Sequence, residues 1–298
     1  MDFMDLDQLL VPEEERRGRA VEYGIFALWI LMFVFQGWSL QIYYSAREYM
    51  ELQYLRTMLS VQNQILALNI VSNILWFIVT SYILYSALFI ERREKYNIVS
   101  GVLFFISGLA ELLVALAIWG YYQKIDYLNK HLAMLSFEDV RKRLLDISSG
   151  MSLYITASNI IVLMSIGLAF ILIGISIKRY ADKLIRGLFT IRIGEEYTAP
   201  PESEAEPSPT SYKEVLEMET YRLNIRRQIE SGARALKSGG NMYIASGVLD
   251  LISILMPGLS TFAFILFILG AIKAGQGRKM IENVRRQLLQ MKEPGEYK

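Results

Sequence analysis

Residues Tyr243–Gly275 read YIASGVLDLISILMPGLSTFAFILFILGAIKAG, predominantly apolar, with Asp250 in the first half, Pro257 near the middle and Lys273 at the end. A membrane-crossing helix needs about 20 apolar residues, rising 1.5 Å each, to cover roughly 30 Å of hydrocarbon. The 33 residues of this stretch are too many for one straight helix. Whether it is one broken passage or two short ones decides on which side the rest of the chain lies.

The surrounding sequence has the composition of a membrane protein. Of 298 residues 53% are hydrophobic and the mean hydropathy is +0.29, with the apolar residues gathered into blocks rather than spread at core periodicity. Four further blocks, Tyr23–Tyr44, Ile65–Ile90, Asn97–Tyr121 and Leu153–Ile177, are long enough to span and almost free of charge,. The N-terminus is acidic first and basic only just before a run of about 20 apolar residues, which reads as a retained first span and not a cleavable signal. Tyrosines at the block edges, among them Tyr44, Tyr121, Tyr154, Tyr180 and Tyr243, suit the headgroup layer, although 18 tyrosines in the chain make some such placements expected,.

The 31 basic residues arbitrate the fifth block. If Tyr243–Gly275 crosses once, they divide 17 against 14 between the two sides; if it crosses twice, they divide 24 against 7. Basic residues concentrate on the cytoplasmic side, so the double passage gives the clearer topology, with both termini cytoplasmic. Two legs of about 16 residues reach only about 24 Å, so they form a short hairpin that thins the bilayer or is sheltered by other spans. The turn falls at MPGLS, where Pro257 removes a backbone donor and Gly258 lets the chain reverse,. The fold class expected is therefore an all-α polytopic integral membrane protein of the cell membrane with six hydrophobic passages.

The organisation along the chain follows. Residues 1–22 form a cytoplasmic segment, and 23–177 hold four spans with an external amphipathic helix at 136–148. There Phe137, Val140, Leu144 and Ile147 share a face behind a Ser136 cap,. Residues 178–240 form a cytoplasmic insertion. It begins with a basic stretch suited to an anionic leaflet or to a solvated extension of the fourth span, continues through a proline-rich disordered linker at 194–210, and ends in a helix at 211–237 opened by Ser211 and Glu214 and stopped by Ser238-Gly239-Gly240,. The hairpin occupies 241–275. A basic amphipathic helix at 276–298, with Ile281, Val284, Leu288 and Met291 on one face, completes the chain,.

Four spans open alike, as NIVSNIL at Asn69, NIVSGVL at Asn97, ITASNII at Ile155 and YIASGVL at Tyr243. A duplicated helical hairpin would produce this, and so would chance among abundant small and β-branched residues. In either case Ser and Gly near a span's start permit close helix approach, with the hydroxyl bonded to its own or a neighbouring backbone. Ser165, Gly167, Ala169, Gly270 and Ala274 offer similar small surfaces.

Two acidic residues lie inside apolar blocks. Glu111 is near the middle of the third span, in SGLAELLVALAI, and Asp250 a third of the way into the opening stretch. No Lys, Arg or His lies deep in a span to neutralise them. A mid-membrane charge costs several kcal/mol, so each carboxyl is expected to be protonated, hydrogen-bonded to residues such as Gln36, Asn69, Asn73 or Asn159, or turned towards a hydrated cavity. Ion or proton handling is one reading and interhelical glue the other. The position of Asp250 on a short helix makes it the weaker candidate of the two.

Other chemistry is poorly served. There is no cysteine and one histidine, His131, outside the apolar blocks, which excludes disulfides, iron–sulfur clusters and bis-histidine haem. No phosphate loop, nucleophile elbow or zinc-protease motif stands out, and no cofactor or metal is expected. Balanced charge gives no indication of nucleic acid binding. The partners expected are the lipid bilayer and other membrane subunits, or a second copy of the chain. The leading expectation is a non-enzymatic subunit that builds or anchors a larger membrane complex; the alternative is an ion or proton channel or transporter using Glu111 and possibly Asp250.

Overall fold

The computed structural model describes helical positions between residues 24 and 41, then residues 55–89, 95–131, 134–196 and 209–292 apart from 257. The N-terminal segment 1–22, much of the first block, residues 91–94 of the basic turn after the second, residues 197–208 of the linker, and 293–298 lie outside the described residues. Among those described there is no strand, and five long helices follow in order: α1 Leu55–Phe89, α2 Lys95–Lys130, α3 Phe137–Glu196, α4 Pro209–Ser253 and α5 Leu259–Lys292. Four of them, α1, α2, α3 and α5, are long and apolar enough to cross a membrane.

The exposed faces identify the solvent. On α2 the exposed residues Val99, Val102, Ile106, Leu109, Leu113 and Leu116 recur every three or four positions, while the opposite face buries Phe104, Ser107, Gly108, Val114, Ala115 and Ile118. The outer stripes Val71, Ile74, Ile78, Tyr82 and Tyr85 on α1, and Phe262, Ile265, Leu269 and Ile272 on α5, are built the same way. A helix in water keeps its polar side outward. Here the outward stripes are apolar, and the buried faces admit small residues such as Ser107, Gly108 and Ala115 beside larger ones, an arrangement compatible with lipid.

The chain divides into two compact units. In one, α1 and α2 run antiparallel. A Cβ on Gly101 would stand 2.7 Å from that of Ala87, Gly108 faces Thr80 and Phe77, and the Phe77 and Phe105 rings lie 5.8 Å apart. Towards the far end Leu59 and Leu66 meet Val114, Ile118, Ile125, Leu128 and Ile147 in one buried cluster. Trp76 Nε1 donates to Ser107 Oγ at 3.3 Å, and Ser107 Oγ itself donates to the Phe104 carbonyl at 2.6 Å. Hydrogen bonds between helices in a membrane contribute about 0.6 kcal/mol on average, and Ser107 keeps its local acceptor without the indole. Trp76→Phe is therefore expected to lower stability by only about that amount, measured by unfolding of the solubilised protein.

In this unit α3 starts where Ser136 Oγ accepts from the Asp139 backbone N–H at 3.2 Å and donates to the Asp139 carboxylate at 2.6 Å. Residues 137–148 are the first turns of a continuous helix of 60 residues, about 90 Å long. No break separates them from the fourth span, and Val140 and Ile147 are buried. Ser100, from NIVSG, donates to the Tyr96 carbonyl at 2.7 Å and across to Ala169 of α3 at 3.2 Å.

The other unit joins α3 from Phe170 onward, α4 to Leu249, and α5. Contacts descend in layers. Ser246, from YIASG, donates to the Ala263 carbonyl at 2.7 Å, the counterpart of the Ser100 bond. Next come three wholly buried rings, one per helix. Phe170 stacks on Phe267 at 5.0 Å, and Tyr243 meets Phe267 edge-on at 5.5 Å. Expected among headgroups, Tyr243 is instead core. Below the rings lie glycines, then the Lys237 Nζ to Asp182 Oδ1 ion pair at 3.0 Å.

Glycine determines how close the backbones come. Cβ atoms placed on Gly174 and Gly240 would stand 2.5 and 2.8 Å from each other's carbonyl oxygens, between α3 and α4. One on Gly239 would stand 2.8 Å from the Ala274 nitrogen and 2.9 Å from the Gly270 oxygen, between α4 and α5. Gly232 and Gly277 repeat that approach seven residues further along each helix. The triplet Ser238-Gly239-Gly240, expected to end a helix, lies inside α4, which continues to Ser253. Its adjacent glycines face two different neighbours, and this packing offsets the roughly 1 kcal/mol that glycine costs a helix.

Candidate functional site

Glu111 lies on the packed face of α2, one helical repeat from the buried Phe104 and Ile118, and is itself half-buried. The pairing of Gly101 with Leu84 and of Gly108 with Phe77 fixes the register of α1 against α2 and carries Glu111 to the level of Asn73 and Ile74. Asn69 and Asn73 are half-buried on α1, Asn159 is exposed on α3, and Gln36 falls outside the described residues.

Asp250 is the more enclosed acid, at 1% exposure, despite its expected place on a short leg. Its Oδ2 makes no hydrogen bond to a described residue. The two hydroxyls nearest along the helix are engaged elsewhere: Ser246 with Ala263, and Ser253 with the Asp250 backbone carbonyl at 2.6 Å. No hydrogen bond or ion pair joins Glu111 and Asp250 to each other or to a described basic residue. His131 is distinct from both, its ring stacked on Tyr127 at 4.1 Å and its Nδ1 2.9 Å from the Tyr127 carbonyl. No group of three or more metal-ligating side chains occurs among the described residues.

A different feature escapes a residue-by-residue reading of motifs. Past the glycine layer, α3, α4 and α5 turn from apolar to charged at one level, since Lys178 follows Gly174, Lys237 precedes Gly240 and Lys273 precedes Ala274. Residues 178–187, 220–238 and 273–287 together hold fourteen basic and three acidic residues, against a net charge of +1 for the whole chain. Between them Ile177, Ala181, Leu184, Ile225, Ile229, Ala233, Leu236, Ile281 and Val284 form a buried apolar core. The seven-residue spacings Gly232–Gly239 and Gly270–Gly277 are the sequence signal for this bundle.

No family model, curated protein or solved structure matches the chain.

Proposed function

We propose that the chain is a non-enzymatic, six-passage membrane subunit, both termini cytoplasmic, that serves as the base of a larger membrane assembly. The observation carrying this reading is the three-helix unit whose apolar half continues, without a change of packing, into a charged half. Because α5 runs antiparallel to α4 with Gly277 beside Gly232, its basic end lies level with the basic ends of α3 and α4. That supports two short legs, α4 ending at Ser253 and α5 starting at Leu259, over a single crossing, which would carry the end of α5 away from the helices it packs on. The described, packed part of α4 before the apolar leg, residues 220–240 or about 30 Å of helix,, would then form a stalk in water suited to docking partner subunits.

A chain with no cysteine permits a direct test. Thiol labelling of Gly258→Cys, an exposed turn position with open space around it, is expected from outside the cell. Ser231→Cys and Gln276→Cys are expected to react only after the membrane is permeabilised. Labelling of Gln276→Cys from outside would overturn the six-passage topology, and purification without partners under crosslinking would overturn the subunit role.

The buried carboxyl of Asp250 favours a second reading, a channel or transporter in which Glu111 and Asp250 line an ion or proton path. Flux through the reconstituted protein, abolished by Glu111→Gln, would establish that reading in place of the first.

A further inference from the structure

We propose that the basic collar of α3, α4 and α5 binds the headgroups of acidic phospholipids. The inference uses these three helices and rests on the two-leg passage proposed above, though not on the subunit role. Its basis is the continuity of the outer stripes. On α5, Ile265, Ile272, Lys279 and Arg286 follow one another at seven-residue intervals, all exposed. On α3 the line runs from the half-buried Leu172 and Ile175 to the exposed Arg179, Lys183 and Arg186, and on α4, read backwards, from the exposed Val248 through the half-buried Ala245 to the exposed Asn241 and Arg234. The face that meets acyl chains in the apolar half is the same face that turns basic. A soluble polyanion could reach a basic surface from any direction; an outer stripe that changes from aliphatic to cationic along its own length matches a lipid, which changes from aliphatic to anionic along the same direction.

Dimensions agree. Lys279 is about 10 Å along the axis from Ile272, and the headgroup layer on one side of a bilayer is about 5–8 Å deep. Taking Ile272 as the edge of the hydrocarbon, Lys273 lies within that layer and Lys279 a few ångströms beyond it, still within the roughly 8–10 Å over which salt leaves a charge effective, while Arg286, about 20 Å from Ile272, lies outside that reach. Lys183, Lys273 and Lys279 make no ion pair among the described residues, so their ammonium groups remain available to phosphate. By contrast Lys237 is held by Asp182 and Arg286 by Glu282, at 3.0 and 2.8 Å.

The test reconstitutes the full chain in phosphatidylcholine vesicles carrying spin-labelled phosphatidylglycerol or spin-labelled phosphatidylcholine. It reads the fraction of each label immobilised by protein. Phosphatidylglycerol is expected to be preferred about fivefold or more, the factor that one basic residue near the surface supplies, and the preference should fall as salt rises. Lys183→Gln, Lys273→Gln and Lys279→Gln together should bring the ratio close to one, whereas Arg286→Gln should leave it unchanged. Equal immobilisation of both labels by the unmodified chain at low salt overturns the proposal, whether or not the triple variant folds. Two further outcomes also overturn it: displacement by inorganic phosphate at matched ionic strength, which marks a free-anion site, and RNA bound to the purified chain with no phosphatidylglycerol preference once the RNA is digested.

Discussion

Gly174→Val is expected to destabilise the folded chain by about 3 kcal/mol, the upper range for forcing atoms into a packed site. An added Cβ would lie 2.5 Å from the Gly240 oxygen and 3.0 Å from the Ile244 nitrogen. Both are backbone atoms, so no rotamer change relieves the contact, and α3 and α4 must separate by roughly an ångström to reach ordinary van der Waals distance. Separation also loosens the Phe170, Tyr243 and Phe267 cluster one layer away, where each ring pair contributes roughly 0.5–1.5 kcal/mol. Gly275→Ala is the matched control. Nothing lies within 4 Å of its Cβ position, so the change should stabilise by about 0.5–1 kcal/mol through helix propensity alone. Thermal unfolding of the solubilised variants measures both, and an unchanged Gly174→Val melt would mean that α3 and α4 do not meet there.

Asp250→Leu is expected to raise stability, by about 1–3 kcal/mol, because a buried polar group without a hydrogen bond is replaced by an apolar one of similar size. Asp250→Lys, which puts a longer charged chain in the same enclosed place, should lower it by several kcal/mol or abolish recovery of folded protein. The sign of the leucine result is the informative part. A more stable protein would mean that the chain tolerates a destabilising carboxyl, as proteins do where a side chain is retained for function. A less stable one would assign Asp250 a compensated structural contact, and the channel reading would rest on Glu111 alone.

Helical content and the four apolar spans are legible in the sequence because some 20 uncharged residues in a row have one stable solution in lipid. The serine of SG was also readable as a cross-helix donor, and Ser100 and Ser246 both act so. Less legible was anything that depends on two helices at once. Ser238-Gly239-Gly240 has the composition of a helix stop, and only the proximity of Gly174, Gly270 and Ala274 turns it into a contact. The amphipathic stretch at 136–148 and the span from Leu153 read as separate elements, whereas they belong to one helix, Phe137–Glu196. Asp250 is expected at an interface because its leg reads as short, yet its side chain is buried. The basic collar was hidden in a total of +1, since the compensating acids lie elsewhere in the chain.

The brevity of the apolar end of α4 has a consequence for biosynthesis. Between Tyr243 and Ser253 its five large aliphatic residues favour membrane insertion by about 1.5–3 kcal/mol in sum, and Asp250 opposes it by about 2.5–3.5 kcal/mol at mid-helix depth,. Such a segment gains nothing by entering the bilayer when it leaves the ribosome. α5, with nine large apolar residues and no charge between Leu259 and Ile272, gains about 2.7–5.4 kcal/mol. In the two-passage topology proposed above, the first leg would have to wait at the translocon for the second, so that insertion of this part of the chain would be a two-helix event.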